Sequence, residues 1–165
     1  MRQRVGIAAA LACNPELLIC DEPTTALDVT IQAQILELMK NLQKDFNSSL
    51  LMITHNLGIV AEMCQNVAIM YGGAIVEYGS VREVFTNPMH WYTKGLLNAV
   101  PKLEGQSEAL ESIPGLVANA LNLPDGCRFH PRCDHCTAEC KDRMPELRRI
   151  NDEHYVRCWN TEAKI

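Results

Sequence analysis

No stretch of the 165 residues reads Gly-x-x-x-x-Gly-Lys-Ser/Thr, so the chain offers no glycine-rich backbone cradle and no lysine placed for the β- and γ-phosphates of a nucleotide. Nor does any stretch approach the roughly 18 consecutive apolar residues of a membrane-spanning helix. No charged-then-apolar leader opens the sequence, and a cytoplasmic protein is expected. Concentrated positive charge is missing too. The 15 Lys and Arg are outnumbered by 20 Asp and Glu, the formal net charge is −5 and the basic residues are scattered, which argues against a nucleic-acid partner. Internal repeats and low-complexity tracts are absent. What remains has a globular apolar share of 47% and the length of one modest domain with a small appendage.

The most informative segment is Leu17-Leu18-Ile19-Cys20-Asp21-Glu22-Pro23-Thr24-Thr25-Ala26-Leu27-Asp28. An apolar run of this length reads as a buried central parallel strand, and ligands of open α/β sheets sit outside the carboxyl ends of such strands. Two adjacent carboxylates at that end suit phosphoryl transfer, with Asp21 facing a Mg2+ ion and Glu22 an attacking water. Pro23 stops the strand, and Asp28 is placed to cap the next helix. Residues 1–13 are alanine-rich and predict a helix ended by Asn14-Pro15. Ile31, Ile35, Leu38, Met39, Leu42 and Phe46 recur at spacings of three and four, which predicts a helix over 29–46 with one stripe against a sheet.

A second strand is expected from Ser49 to Thr54, ending at His55, and a helix from Leu57 to Cys64. Strands over 66–71 and 74–78 around Gly72-Gly73 predict a hairpin, and Ser80 is placed to cap a short helix over 81–85, with another over 91–100. After Pro101 the pattern loosens. Residues 104–112 are polar, and Pro114, Pro124 and Pro131 interrupt any long element, which puts a boundary near residue 101.

Eight cysteines in such a chain favour metal or catalytic use over disulfides. Cys13, Cys20 and Cys64 lie in apolar contexts and read as small buried hydrophobes. The other five crowd the last quarter. Cys127-x5-Cys133-x6-Cys140-x17-Cys158 offers four thiolates on a segment too poor in apolar residues to fold well without help, and a metal would supply it. These spacings match neither paired Cys-x2-Cys zinc sites nor ferredoxin runs, so Zn2+ and an iron–sulfur cluster both stay open. Cys136 is the odd one out, although Cys133-x2-Cys136 would let it compete for a metal. His130, His135 and His154 read as surface or packing residues.

From Met1 to about Pro101 the chain resembles the second half of an ATP-binding cassette (ABC) ATPase of the bacterial oligopeptide and dipeptide importers. Met1-Arg2-Gln3-Arg4-Val5 is similar to the helix that follows the family's Leu-Ser-Gly-Gly signature, Leu17 to Glu22 to its Walker B strand, Thr25-Ala26-Leu27-Asp28 to its D-loop and Ile53-Thr54-His55-Asn56 to its switch histidine. Asn87-Pro88-Met89-His90-Trp91-Tyr92-Thr93 resembles the family's Asn-Pro-x-His-Pro-Tyr-Thr, with Trp91 in place of the proline. The segment Gly126-Cys127-Arg128-Phe129-His130-Pro131-Arg132-Cys133, with Cys140, Pro145-Glu146-Leu147, His154 and Val156-Arg157-Cys158-Trp159, resembles the importer C-terminal region.

The resemblance implies an α/β fold, the second half of a doubly wound P-loop ATPase domain over 1–100, followed by a small irregular cysteine-rich region over 101–165. It implies ATP and Mg2+ as ligands. Asp21 would hold the ion through water, Glu22 would be general base or water orienter, His55 would contact the γ-phosphate and Asp28 would couple two sites across a dimer. It implies a 4Fe-4S cluster on Cys127, Cys133, Cys140 and Cys158, ahead of Zn2+. The implied partners are permease subunits, a second ATPase subunit and, indirectly, a peptide-binding protein, at the cytoplasmic face of the membrane. Without the phosphate loop and the signature, the 165 residues are not expected to hydrolyse ATP alone. The alternative is a non-catalytic metal-binding module docking on a permease or a full-length ATPase.

Overall fold

The computed structural model describes residues 2–100 and 113–161, which fall into two compact units, one up to Cys64 and one from Gln65 onward. In the first unit helix α1 (Arg2–Leu11) is followed by strand β1 (Leu17–Asp21), helix α2 (Val29–Phe46), strand β2 (Ser49–Ile53) and helix α3 (Leu57–Met63). The two strands run parallel in register from Leu17 opposite Ser49 to Asp21 opposite Ile53. A parallel pair needs a crossover, and α2 provides it. Asp28 caps that helix by accepting from the Ile31 N–H at 2.9 Å, and Asn47 ends it in the left-handed region at φ 49°.

The core of this unit lies on one side of the sheet. Leu18, Cys20, Leu50 and Met52 pack with Ile7 of α1, Ile35, Leu36 and Met39 of α2, and Ile59 and Met63 of α3. Because side chains alternate across a strand, Leu17, Ile19, Leu51 and Ile53 point the other way and are between 48% and 59% exposed. The expectation of a strand buried on both faces is therefore corrected. Among the described residues only one face is covered. The helical stripe also shifts, since Leu36 joins the core while Ile31 and Phe46 stay exposed. An 18-residue helix spans about 27 Å and a five-residue strand about 17 Å, so both helix ends overhang. Cys13, expected inside, is exposed, because α1 stops at Leu11 and Asn14 turns at φ 48° ahead of Pro15.

The second unit contains strands β3 (Asn66–Tyr71) and β4 (Ala74–Ser80), helices α4 (Val81–Thr86) and α5 (Trp91–Asn98), a 3-10 turn at His130–Arg132, helix α6 (Ala138–Asp142) and strands β5 (Arg148–Asn151) and β6 (His154–Val156). They form an antiparallel sheet in the order β3-β4-β6-β5. Gly72 and Gly73 both adopt positive φ, 56° and 78°, as a two-residue hairpin turn requires. The Ser80 hydroxyl caps α4 through the Glu83 N–H. The expected boundary near residue 101 lies outside the described residues. Chain from beyond it pairs directly with chain before it, since β6 hydrogen-bonds β4.

Beneath that pairing lies a fully buried carboxylate. Glu77 of β4 accepts from the N–H groups of Met89 (2.7 Å) and His90 (2.9 Å) and pairs with His154 Nε2 of β6 at 2.7 Å. Both Glu77 and His154 are wholly shielded from solvent. A buried charge is tolerated where it is paired and its remaining lone pairs are satisfied. One carboxylate thus ties the hairpin, the loop entering α5 and the C-terminal strand together. Tyr71, Tyr92 and Phe129 pack their rings beside one another with centroids 4.7 to 5.4 Å apart, and the His90 ring lies 5.8 Å from that of Phe129.

Candidate functional site

The C-terminal ends of β1 and β2 bring Glu22 and His55 together. Strand β1 ends at Asp21, and Glu22 turns the chain at φ 47°, a left-handed conformation that a residue preceding proline adopts at a cost of about 1–3 kcal/mol. The Glu22 N–H donates to Ile53 O at 2.9 Å, which pins the turn to β2. The reversed chain places Glu22 Oε1 2.8 Å from His55 Nδ1, while the Thr25 hydroxyl donates to Glu22 Oε2 at 2.7 Å. The Thr25 hydroxyl first, and then the His55 ring, holds the Glu22 carboxyl below its ordinary range, since both hydrogen bonds favour the ionised form. The His55 side chain is 81% exposed, so the ring reaches from the carboxylate into solvent.

Asp21 stands one residue earlier, exposed, and among the described residues its carboxylate has no hydrogen-bond or ion-pair partner. Asp28 is exposed and its side chain is engaged in capping α2. Asn56 caps α3, accepting from the N–H groups of Gly58 and Ile59, and so fixes the backbone next to His55. The side chains of Arg2 and Arg4 lie outside the described part. Thr25, whose hydroxyl completes the carboxylate's shell, was not singled out from the sequence beyond its place in the D-loop segment.

In the second unit, Cys127, Cys140 and Cys158 are buried and Cys133 is half-buried. Burial, reinforced by neighbouring thiols, pushes Cys133 and Cys158 up to about 11 and raises Cys127. The four are separated by up to 31 positions in the chain. Among the described residues no group of three or more His, Cys, Asp or Glu side chains is placed to hold a metal ion. His154, read from the sequence as surface or packing, is the buried partner of Glu77, and His135 stacks on Trp91 at 3.3 Å between centroids.

Two families match the chain. The one described as "Oligopeptide/dipeptide transporter, C-terminal region" covers residues 76–140, and the one described as "AAA domain, putative AbiEii toxin, Type IV TA system" covers residues 2–61. The oligopeptide transport ATP-binding protein of Haemophilus influenzae is 49% identical over 165 residues, covering 100% of this chain and 51% of that protein. The chain belongs to the peptide-importer ABC ATPase family. The oligopeptide transport ATP-binding protein AppD of Bacillus subtilis is 52% identical over 99% of this chain and 50% of its own length. A putative peptide import ATP-binding protein of Brucella ovis is 54% identical over 96% of the chain and 48% of its own. The chain thus spans about half the length of the curated relatives it matches. A solved structure of CbiO1 from Clostridium perfringens, part of an ABC transporter complex, is similar at 37% identity over 51% of this chain and 34% of that one, with a TM-score of 0.47. The fold is mixed α/β, as membership of this ABC ATPase family requires. Among the described residues no helix is long and apolar enough to cross a membrane.

Proposed function

We propose that this chain supplies the water-activating half of an ATP site in a peptide-importer ATPase. The observation that carries the reading is the Glu22–His55 hydrogen bond across the adjacent ends of β1 and β2. Held ionised, Glu22 accepts a hydrogen bond and then a proton from the attacking water. His55 Nδ1 lies 2.8 Å from Glu22 Oε1 and the other ring nitrogen would meet a phosphoryl oxygen, so one ring fixes the angle between base and phosphate. Phosphoryl transfer depends mainly on such positioning and on charge placed ahead of the transition state. Asp21, exposed and without a partner among the described residues, would hold a hydrated Mg2+, and that ion would supply positive charge to the phosphates. Asp28 lies at an exposed helix start, where a second ATPase subunit would meet it. The other partners in this reading are permease subunits at the cytoplasmic face of the membrane, with a peptide-binding protein served indirectly. The division of labour places the ATPase part in residues 1–100 and the importer's C-terminal region in 101–165.

The 165 residues hold no phosphate loop, so the nucleotide's β- and γ-phosphates must be gripped by residues outside this sequence. The open aliphatic face of β1 and β2 agrees with that need, because four exposed side chains on one sheet face await a cover. A thermal-shift series with Mg-ATP tests the reading. The chain alone should show no stabilisation, and adding a polypeptide with the Gly-Lys-Ser/Thr loop of a relative should produce one. A shift with the chain alone would contradict it.

For the tail we infer a four-thiolate iron–sulfur cluster from residue type alone, with Cys127, Cys133, Cys140 and Cys158 as the ligands it would take. What supports it is donor chemistry, four thiols of which three are buried; their placement adds nothing, since among the described residues no group of three is set to hold a metal ion. Such a cluster supplies one-electron chemistry or a covalent staple when bound. The chain's own contribution is to bury three of the sulfurs and to seat Cys140 against the Thr137 hydroxyl at 3.3 Å.

A further inference from the structure

Glu22 is gripped twice, once at each carboxylate oxygen. Oε1 lies 2.8 Å from His55 Nδ1, and Oε2 accepts from the Thr25 hydroxyl at 2.7 Å. The two grips differ in firmness. His55 stands beyond the end of β2, 33 positions along the chain, and its side chain is 81% exposed. Thr25 belongs to the same turn as Glu22. Its N–H donates to Glu22 O at 3.2 Å, and the Leu27 N–H donates to Thr24 O at 3.3 Å, which carries the turn around the buried Thr24. A β-branched side chain has few χ1 choices, so a threonine held at its backbone holds its hydroxyl as well.

The backbone is strained on either side of Thr25. Glu22 sits at φ 47° and Ala26 at φ 61°, a region that residues with a Cβ seldom occupy. Such conformations persist where surrounding contacts impose them, and they cluster at functional sites. Between these two residues the chain folds back far enough for the Thr25 hydroxyl to reach the side chain three positions earlier. A glutamate carboxylate turns about its last side-chain bond with little preference for one angle. One hydrogen bond fixes one oxygen and leaves the plane free to swing about it, whereas two partners on different oxygens fix the plane. A base that takes a proton from a water held at one place needs that fixed direction.

We propose that Thr25 is the positioning residue of this site: its hydroxyl sets the plane of the Glu22 carboxylate and so the direction from which Glu22 meets the attacking water. This role rests on the reading of Glu22 as the water-activating base. Thr25 needs no contact with the nucleotide to fill it, so its loss acts on the chemical step and leaves nucleotide binding alone.

The test joins this chain to the half of the Bacillus subtilis relative that it does not match and measures Mg-ATP turnover, nucleotide affinity and thermal melting on each variant. Thr25→Val keeps the branched shape and removes the hydroxyl. It should lower kcat at least about tenfold and leave KM for ATP within about twofold. Thr25→Ser restores the donor and should return kcat to within about threefold of the unmutated protein. Glu22→Gln separates the positioning role from the reading beneath it. In that background Thr25→Val should cost less than about a further twofold, because no base is left to aim. If Glu22→Gln abolishes turnover and Thr25→Val does not lower it, the positioning role is overturned and the base stands. A loss in Thr25→Val that serine fails to restore, an equal rise in KM, or a melting temperature low enough to account for the loss would overturn it too. If Glu22→Gln leaves turnover intact, or the joined protein without substitutions turns nothing over, both readings fall together.

Discussion

The unit up to Cys64 and the unit from Gln65 onward treat their apolar residues in opposite ways. The first lays three helices on one side of two strands and leaves Leu17, Ile19, Leu51 and Ile53 facing outward. The second closes on itself, with Val76, Val84, Phe129 and Val156 shielded and the Glu77–His154 pair sealed beneath the sheet. A surface as apolar as the first is one that a further part of a protein covers. The two units also differ in the polar groups they carry. Strand ends beside an uncovered sheet hold the carboxylates and the histidine, whereas the closed unit gathers thiols.

The largest expected break in this contrast is Glu77→Ala. It leaves His154 and two backbone N–H groups buried without an acceptor, and it should destabilise the second unit by about 3–5 kcal/mol. Both tryptophans, Trp91 and Trp159, belong to that unit, so denaturant melts followed by tryptophan fluorescence should move strongly. Circular dichroism of the helices in the first unit should move little.

Acid sharpens the same division. Burial holds His90 at about 4, below its ordinary 6.5. Nδ1 accepts from Tyr92 N–H at 3.0 Å, and Nε2 is buried without a partner among the described residues. A lowered folded value means that the unfolded chain binds the proton first. The contribution is whole above about 6.5 and is lost as pH falls toward 4, on the order of 3 kcal/mol in total. Glu22 is also lowered, but from 4.5, so its contribution is intact above that value and is lost only as pH falls through its folded value. Melts at pH 6.5 and 4.8 should therefore show the second unit weakening while the first holds.

A smaller effect separates the two faces of the first sheet. Ile19→Gln, on the open face, should change the stability of the chain by less than about 0.5 kcal/mol and should lower binding of an apolar dye. Ile35→Ala, on the covered side, should cost about 2–5 kcal/mol. If Ile19→Gln costs as much as Ile35→Ala, the open face is not open. The smallest effect expected is on Thr25→Ala. Loss of the hydroxyl should let the Glu22 carboxyl rise toward its ordinary range, visible in a carbon-13 titration of that side chain.

Much of this was legible in the sequence, and what was not has a physical reason. The α2 helix appeared with its boundaries because periodicity and caps are local signals, and the β3–β4 hairpin because Gly72-Gly73 can turn where other residues strain. Glu22 and His55 were both named from expected strand ends, and the structure brings their side chains to 2.8 Å. Which sheet face lacks a cover was hidden, because alternation tells inward from outward only when the neighbours are known. The β5–β6 hairpin was hidden as well, since Arg148-Arg149-Ile150-Asn151 carries no apolar alternation and is held by backbone pairing. The Glu77–His154 pair spans 77 positions and leaves no local pattern. The four cysteines Cys127, Cys133, Cys140 and Cys158 matched no familiar spacing.

The central claim is that Glu22, aligned by His55, activates water for ATP hydrolysis. It is tested most directly by joining this chain to the half of the Bacillus subtilis relative that it does not match and measuring Mg-ATP turnover with and without Glu22→Gln. The account predicts turnover in the joined protein and a loss of at least about a hundredfold in the variant, with nucleotide binding retained. Turnover that survives Glu22→Gln would contradict it.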